Sequence, residues 1–362
     1  MSGELFLTGA TGYIGGSLLH TWLVQTDVRV NLLVRSRHGE DPRQRIEQAI
    51  AQLNPDPQVR CFSKRLNVIG GDVALARFGM GDAEYKRLAN CVSHIIHCAA
   101  AARFDLELED ARRINVGGVQ NILNCAGQCR DLRRIDYIGT AYVAGERTGI
   151  IREDELEAGQ AHHNTYEQSK FEAEKLVRKF MVDLPITILR PSIVICDSET
   201  GRASSHNGFY RALRMYHLGL VKVLPGYPSS LLDLVPVDYV AAATCAIVSD
   251  EGSIGRCYHL TAGPGNATSF AEIRDLAGRY FGREKFALIP PEHFLASMAE
   301  MEETLTEDER SMMSEIRLYM PYMSGSLQFD NSNTIRQTGI EAPRVSTYFG
   351  KMAEYIMRQE SV

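Results

Sequence analysis

The sequence lacks the features of membrane, secreted and nucleic-acid-binding proteins. No apolar run approaches the roughly 20 residues that a membrane-spanning helix needs, and the apolar segment Leu5 to Leu7 leads into a glycine loop, not a signal peptide. The eight cysteines include no C-x-x-C pair, which favours a cytoplasmic protein with reduced thiols and no metal site. A net charge of −6 disfavours nucleic-acid binding, which requires a concentrated basic surface.

The composition is that of an ordinary globular protein, with 44% hydrophobic and 23% charged residues over 362 positions. Short β-branched runs alternate with helical segments, and the predicted strands are ELFLTG, VRVNLLVR, RLNVIGGD, SHIIHCAA, RRIDYIGT and ITILRPSIV. This alternation predicts βαβ units and therefore an α/β fold with a Rossmann-type, doubly wound parallel sheet. The near-continuous apolar character of the strands indicates that both faces of the sheet are covered.

The alternation breaks after Val194, which predicts a second, smaller unit. Residues 197–207 are polar, Gly208 to Val223 has a helical pattern, and the segment LLDLVPVDYVAAATCAIV is expected to rejoin the main sheet. From about Gly263 onward, helices and loops follow without a clear βαβ period. We therefore expect a Rossmann domain at 1–195 plus 231–262 and a discontinuous, mainly helical lobe at 196–230 plus 263–362.

The segment TGATGYIGG, at 8–16, follows the first predicted strand and opens a helix. Its three glycines form G-x-x-G-x-x-G, which permits a tight turn, close approach of the backbone to a pyrophosphate, and packing of the helix on the strand. The helix N-terminus offers free N–H groups and a positive dipole end to phosphates. We expect a dinucleotide to bind at Thr8, Gly9, Thr11, Gly12, Tyr13, Ile14 and Gly15.

The end of the second strand indicates NADP(H) as the cofactor. Arg35 stands where an NAD-preferring site places Asp or Glu, and arginine suits a 2′-phosphate through charge-assisted contacts. One such contact contributes about 1.5–3 kcal/mol. Arg45 and Arg37 are further candidates for the phosphate, and Asp72, followed by Val73, for the adenine amine. The alternatives are a solvated basic loop for the arginines and a helix N-cap for Asp72.

A candidate catalytic pair lies in TYEQSKFEAEKL, where Tyr166 and Lys170 have the i, i+4 spacing that places both on one helical face. An ammonium beside a phenol favours the phenolate and is expected to lower the pKa of Tyr166 toward the working pH. Thr140, at the end of a predicted strand, could donate to the same substrate oxygen. Asn115 could contact the ribose, hold a backbone carbonyl, or merely occupy a helix interior. Two exposed helix residues remain the alternative for the Y-x-x-x-K pair.

Taken together, these segments resemble the extended short-chain dehydrogenase/reductase family over nearly the whole chain. The resemblance rests on TGATGYIG, Y-x-x-x-K, IIHCAA, LRPSIVI, VPVDYVA and YHLTAG. Within that family, LLVRSR, HCAAAARF, TYEQSKFEAEKL and RPSIVICDSETGR are most similar to thioester reductase domains and fatty acyl-CoA reductases. The chain departs from that group at two positions: Thr165 precedes Tyr166 where Gly is usual, and Phe171 follows the lysine where Trp is common.

The resemblance implies roles for particular residues. Thr140, Tyr166 and Lys170 would form the catalytic triad. The residues implied at the cofactor groove are Ala99, Ala100 and Ala101, and those implied near the nicotinamide are Pro191, Ser192 and Val194.

The expected activity is NADPH-dependent reduction of an acyl thioester, bound to a carrier protein or to CoA, to an aldehyde, with onward reduction to an alcohol left open. Because the first strand begins close to Met1 and no carrier module is visible, we expect a freestanding enzyme that acts in trans. The alternatives are a ketone or aldehyde reductase, a cofactor-recycling epimerase or dehydratase, and a non-catalytic NADP(H)-sensing protein. The oligomeric state is not predicted.

Two further segments could contribute to substrate binding. Gly208 to Val223 combines apolar residues with Arg211, Arg214 and Lys222, which suits a pocket wall with a basic rim, or else a solvated helix face. His162 and His163, in a loop before Tyr166, are interpreted as solvated. A methionine-rich segment could line an acyl pocket or simply pack within the lobe; its members are Met298, Met301, Met312, Met313, Met320 and Met323.

Overall fold

The computed structural model describes residues 3–36, 39–53, 64–204, 207–301 and 306–360. Its strands are β1 (Glu4–Thr8), β2 (Val30–Val34), β3 (Leu66–Gly70), β4 (Val92–His97), β5 (Arg134–Ile138), β6 (Gly149–Ile151), β7 (Ile186–Pro191), β8 (Ile193–Val194), β9 (Val223–Pro225), β10 (Leu231–Leu232), β11 (Leu234–Val235), β12 (Cys257–Leu260), β13 (Thr268–Ser269), β14 (Ala287–Ile289) and β15 (Leu327–Phe329).

The helices are α1 (Tyr13–Gln25), α2 (Pro42–Leu53), α3 (Asp82–Cys91), α4 (Leu108–Ala126), α5 (Thr165–Phe180), α6 (Gly208–His217), α7 (Val237–Val248), α8 (Phe270–Phe281), α9 (Pro291–Met301), α10 (Glu307–Ser324), α11 (Ser332–Thr338) and α12 (Val345–Gln359). Within the described ranges, no helix combines the length and apolar character needed to cross a bilayer. Across the same ranges, no group of three His, Cys, Asp or Glu side chains is placed to hold a metal ion.

Seven strands form one sheet in the order β12-β7-β5-β4-β1-β2-β3, and every neighbouring pair is parallel. The predicted doubly wound α/β sheet is confirmed. Strands such as VNLLV and VSHIIH are buried along their whole length, because helices cover both faces of the sheet. Leu19 and Trp22 of α1 pack with α7 on one face, while α3, α4 and α5 cover the other.

The order in which successive strands are added to the sheet reverses at β1: β2 and β3 extend it to one side, and β4 then pairs with the other side of β1. In open α/β sheets, ligands bind at such a switch point, outside the carboxyl ends of the strands. The glycine loop follows β1, Ala99 to Ala101 follow β4, Thr140 follows β5, and Ser192 follows β7. The fold therefore delivers the predicted loop and turn residues to one edge of the sheet.

A separate apolar cluster forms the interior of the lobe, with contributions from α6, α8 and α12. Helix α6 is shorter than the predicted Gly208 to Val223, because it ends at His217 before Gly219, whose φ of +80° is left-handed. Helix α11 packs on α7 and β12, against the edge of the main sheet.

The prediction that the segment at 231–235 rejoins the main sheet is wrong. Strand β10 pairs with β13 and strand β11 pairs with β8, in two-stranded sheets outside the main one. Buried Asp233 separates the two short strands and accepts bonds from Ser192, Ala262 and Gly263. The place beside β7 in the main sheet is taken by β12, so the return occurs about 25 residues later than expected.

Candidate active site

The glycine loop adopts a conformation that only glycine fits at two positions. Gly9 has a φ of +81°, and a Cβ there would lie 2.6 Å from the Ala99 nitrogen. A Cβ on Gly15 would lie 2.1 Å from the Gly9 carbonyl oxygen. Helix α1 then begins after Gly12 with no side chain capping its N-terminus. The backbone can therefore approach a ligand closely, and the helix presents its positive end to it.

The side chains around this loop are tied to neighbouring elements. The Thr8 hydroxyl lies 2.8 Å from His97 Nδ1 and accepts the Ala99 N–H over 3.2 Å, so it joins the ends of β1 and β4. The Tyr13 hydroxyl donates to the Arg202 carbonyl over 2.7 Å. Thr11 is exposed at the tip of the loop. These hydrogen bonds to neighbouring elements fix the conformation of the loop.

The structure brings Arg35, Arg45 and Asp72 together at the carboxyl ends of β2 and β3. Arg35 lies 3.8 Å from Asp72, and Arg45 donates to the Arg35 carbonyl. The Asp72 carboxylate also accepts the Ala74 N–H over 2.9 Å. Val73 follows, and its carbonyl accepts from Asn121 over 2.8 Å. Half of the Arg35 side chain is exposed, so its guanidinium is accessible to an anion.

Arg37 lies outside the described residues.

Asn115 fixes the loop after β4 through its side-chain amide. Its Oδ1 accepts the Ala101 N–H over 2.8 Å, and its Nδ2 donates to the Ala101 carbonyl and, over 2.9 Å, to the Ser169 hydroxyl. Asn115 therefore holds the backbone at Ala101, which was one of the alternatives left open for it. Ala99 and Ala100 precede this anchored point and lie just beyond the carboxyl end of β4.

Tyr166 lies in the first turn of α5, and Thr140 lies immediately beyond β5. Burial raises the pKa of Tyr166 to about 12, and the neighbouring Thr140 hydroxyl opposes this shift. The expected net lowering toward the working pH is therefore wrong for the chain alone, because desolvation of the phenolate outweighs the opposing effect of Thr140. The phenol is protonated at neutral pH and is suited to donate a proton.

Lys170 lies one turn after Tyr166 and is buried. Its Nζ donates to the Ile138 carbonyl over 2.9 Å and lies 4.4 Å from the centre of the Tyr137 ring. Burial lowers the pKa of Lys170 to about 8, against opposition from Cys98 and Glu174. Lys170 is thus a cation whose charge is lost at moderately alkaline pH.

A network of hydrogen bonds holds the turn after β7. The Pro191 carbonyl lies 3.5 Å from the Thr140 hydroxyl, and Ser192 donates to Asp233 over 2.5 Å. Asn207, which caps α6, also donates to the Val194 carbonyl. These bonds connect the turn to Thr140 on one side and to the lobe on the other.

A cavity of about 370 Å³ runs from the predicted catalytic residues into the lobe. Thr140, Tyr166 and Ser192 line one end, and residues of α6, α8 and α10 line the rest, which is mostly apolar. Tyr13 and Ile14 of the cofactor loop border the same space. The structure therefore joins the glycine loop, the catalytic residues and the lobe around one continuous cavity.

The end of the cavity that is lined by Thr140 and Tyr166 is called the reacting end. Four aromatic residues at this end were not predicted from the sequence. Phe104 stacks within 5.7 Å of Tyr166 and 5.5 Å of Tyr322, and Tyr319 lies 5.3 Å from it. Tyr142 packs edge-on against Tyr322 at 5.0 Å. Phe104 and Tyr142 stand near quoted motifs, in HCAAAARF and two residues after Thr140, and proximity to those motifs was the available signal. Tyr319 and Tyr322 lie on α10, in the methionine-rich segment that was predicted either to line an acyl pocket or to pack within the lobe.

The secondary candidates divide between the cavity and the surface. Arg211 borders the cavity, whereas Arg214 is ion-paired with Glu360 and Lys222 is exposed. Met323 lines the cavity, and the side chains of Met301 and Met312 lie outside the described part of the chain. His163 is exposed, as expected, and it also bonds to the buried Glu167 over 3.0 Å, which raises the pKa of its imidazole.

The chain matches known proteins along much of its length. The NAD-binding Male sterility protein family matches residues 7–244. The fatty acyl-CoA reductase wat of Drosophila melanogaster is 29% identical over 283 residues, which cover 68% of this chain and 54% of that protein. The nonribosomal peptide synthetase asaC of Aspergillus flavus is 29% identical over 277 residues, which cover 71% of this chain and 26% of that protein. The chain thus spans about half or a quarter of these relatives.

Among solved structures, the terminal R domain from the myxalamid PKS-NRPS biosynthetic pathway superposes with a TM-score of 0.88. It is 27% identical, and the match covers 100% of this chain and 92% of that domain. The resemblance to thioester reductase domains and fatty acyl-CoA reductases, predicted from the motifs, is confirmed. The chain belongs to the NAD-binding Male sterility protein family.

Proposed function

We propose that this protein is an NADPH-dependent reductase that converts an acyl thioester to an aldehyde. The observation that carries the proposal is the cavity, which joins the hydroxyls of Thr140 and Tyr166 to an apolar interior in the lobe. A carbonyl at the hydroxyl end would have its acyl chain directed into that interior. The named activity of the fatty acyl-CoA reductase relative supports the same reaction class.

The residues present fit a nicotinamide dinucleotide. Gly9 and Gly15 leave a cradle that a Cβ would fill, and α1 directs its uncapped N-terminus at it. We propose that Arg35 and Arg45 hold the 2′-phosphate of NADPH, because Arg35 stands where an NAD site would carry an acid and Arg45 of α2 bonds to the Arg35 carbonyl. Asp72 is proposed at the adenine end, Ala99 to Ala101 along the cofactor groove, and Pro191, Ser192 and Val194 near the nicotinamide.

Bound NADPH would supply a hydride to the carbonyl carbon. Thr140 and Tyr166 then donate hydrogen bonds to the carbonyl oxygen as negative charge grows on it. Tyr166 delivers the proton, for which its raised pKa of about 12 keeps it protonated. The resulting hemithioacetal releases a thiol and leaves the aldehyde. Lys170 is buried and lies one turn after Tyr166 in α5. Its positive charge would favour the phenolate that Tyr166 becomes when it gives up its proton.

The proposed activity is tested by a screen of NADPH oxidation with octanoyl-CoA, shorter and longer acyl-CoAs, acyl-carrier thioesters and octanal. Release of thiol and formation of aldehyde, identified by mass spectrometry, are expected with a thioester. Turnover of aldehydes or ketones without any thioester would replace the proposal with a simple carbonyl reductase. Absence of turnover with every substrate would support an NADP(H)-sensing role.

Arg35→Ala is expected to weaken NADPH binding by about 10- to 100-fold, since one charged hydrogen bond contributes about 1.5–3 kcal/mol. NADH carries no 2′-phosphate, so its affinity should change by less than about threefold. Fluorescence titration of both cofactors measures the difference. Arg43→Ala, an exposed change on the neighbouring helix α2, serves as the control. Equal losses for NADPH and NADH would remove Arg35 from the phosphate site.

The lobe at 196–230 plus 263–362 is proposed to bind the acyl group and its carrier. Helix α6 forms one wall of the cavity and carries Arg211 at its border. The phosphate of a phosphopantetheine arm is an anion that arginine binds well. Of the three basic residues predicted for the rim, Arg211 borders the cavity, so we propose this residue for the phosphate.

Arg211→Glu is expected to raise KM for acyl-CoA and acyl-carrier substrates about tenfold, because it replaces an attraction to phosphate by a repulsion. KM for octanal, which has no phosphate, should change little. Arg214→Glu reverses the same charge one turn away and is the matched control, with KM near the native value for every substrate. A parallel rise for CoA esters and octanal in Arg211→Glu would show that Arg211 has no docking role.

A further inference from the structure

Tyr322 connects the last turn of α10 to the first turn of the catalytic helix α5. Its hydroxyl donates to Glu167 Oε1 over 2.5 Å and accepts from Asn164 Nδ2 over 2.7 Å. Asn164 caps α5, because its Oδ1 accepts the Glu167 N–H over 3.0 Å. One phenol from the lobe therefore bonds to two residues that define the start of the helix carrying Tyr166.

Glu167 is fully buried, directly beside Tyr166 in sequence. Its other bonds come from His163, through the backbone N–H at 2.9 Å and Nδ1 at 3.0 Å. A buried carboxylate that loses a partner is costly, and a hydrogen bond to a charged acceptor is stronger than a neutral one. The Tyr322 hydroxyl is therefore a strong attachment of α10 to α5, not a surface contact.

The end of α10 depends on this attachment because Pro321 lies inside the helix, next to Tyr322. Proline has no N–H to donate to the carbonyl four residues earlier, and its ring crowds that turn. The last turn is thus held less firmly by its own backbone than an ordinary helical turn. A bond from its side chain to α5 compensates for the missing backbone bond.

The same turn forms the wall of the cavity at its reacting end. Tyr319, Tyr322 and Met323 of α10 line the cavity together with Thr140 and Tyr166. The Phe104 ring is in contact with Tyr322 on one side and Tyr166 on the other, at 5.5 and 5.7 Å. Movement of this turn would therefore open the cavity beside the proton donor.

We propose that Tyr322 is a positioning residue that locks α10 over the reacting end of the cavity and holds Tyr166 in place. It acts through Asn164 and Glu167 and transfers no proton itself. We call Tyr322, Asn164 and Glu167 together the latch. This inference rests on the proposed reductase function for its kinetic consequences. The glycine loop and Arg35, which we propose to hold the phosphates of NADPH, follow β1 and β2, so NADPH binding is expected to change little when the latch is broken.

Tyr322→Phe keeps the ring on Phe104 and removes only the hydroxyl. We expect kcat with octanoyl-CoA and octanal to fall about tenfold or more, the loss produced by one charged hydrogen bond. The Kd for NADPH should stay within about twofold of the native value. Asn164→Ser preserves a capping side chain but replaces the amide that donates to Tyr322 by a shorter hydroxyl, so it should lower kcat in the same direction.

Tyr227→Phe provides the matched control, because it removes another tyrosine–glutamate bond, to Glu292, elsewhere in the lobe. It should leave kcat unchanged. In Tyr322→Phe, amide hydrogen exchange should accelerate across 307–324 but not in the central sheet. If the native chain reduces no substrate, the proposed function fails while the exchange measurement still tests the latch. Native kcat in both latch variants, or unchanged exchange at 307–324 in Tyr322→Phe, would overturn the inference.

Discussion

Tyr166→Phe is expected to lower kcat for thioester reduction about 10³-fold while the Kd for NADPH stays near its native value. General acid catalysis by a positioned side chain contributes roughly 10²–10⁴-fold, and the substitution removes the proton donor entirely. The ring remains, so packing against Phe104 at 5.7 Å is preserved and little stability should be lost. The large effect is therefore confined to the chemical step.

Single-turnover NADPH oxidation separates this step from binding and product release. Tyr355→Phe, on α12 and 6.3 Å from Tyr210, makes the same chemical change away from the reacting end and should keep native turnover. Thr140→Val is expected to show a smaller loss than Tyr166→Phe, because Tyr166 would still donate. Near-native kcat in Tyr166→Phe would exclude it as the acid and favour the sensing alternative.

The fold was predictable because each of its signals is local. Alternating strands and helices specify a parallel sheet, and G-x-x-G-x-x-G between β1 and α1 specifies the switch point. The strands at 4–8, 30–34 and 92–97 lie where the apolar runs predicted them. The prediction for the segment at 231–235 was wrong because the strand pairing of this segment depends on Asp233, whose three hydrogen-bond partners come from distant parts of the chain. Apolar character alone cannot choose between neighbouring sheets.

Some residues of the candidate site could likewise be predicted from local sequence signals, and others could not. Thr140, Tyr166 and Lys170 were found because each stands in a recognisable segment at a predictable end of a strand or helix. Tyr319 and Tyr322 were not, because their position beside Tyr166 is set by the packing of α10 on α5, more than 150 residues away in sequence. The direction of the Tyr166 pKa was also missed, since charge spacing is visible in a sequence and burial is not.

The free enzyme is expected to lose kcat/KM as the pH rises through about 8, because Lys170 loses its proton there. Burial lowers the pKa of Lys170 to about 8, so the side chain is cationic below this pH and neutral above it. The profile of kcat/KM reports groups of the free enzyme. Tyr166 has a pKa of about 12, as does Cys98, so neither titrates in this range. The decline on the alkaline side is therefore assigned to Lys170.

Lys170→Met keeps the length of the side chain and removes its charge. We expect kcat/KM to fall about 10²–10³-fold at neutral pH, where the native lysine is charged, and the alkaline decline near pH 8 to disappear. The ratio of native to variant kcat/KM should consequently narrow as the pH rises. Lys175→Met, on the exposed side of the same helix and paired with Glu157 at 2.9 Å, should retain both the native rate and the native profile. A decline at the same pH in Lys170→Met would assign it to another group and leave Lys170 with a structural role, held by its bond to the Ile138 carbonyl.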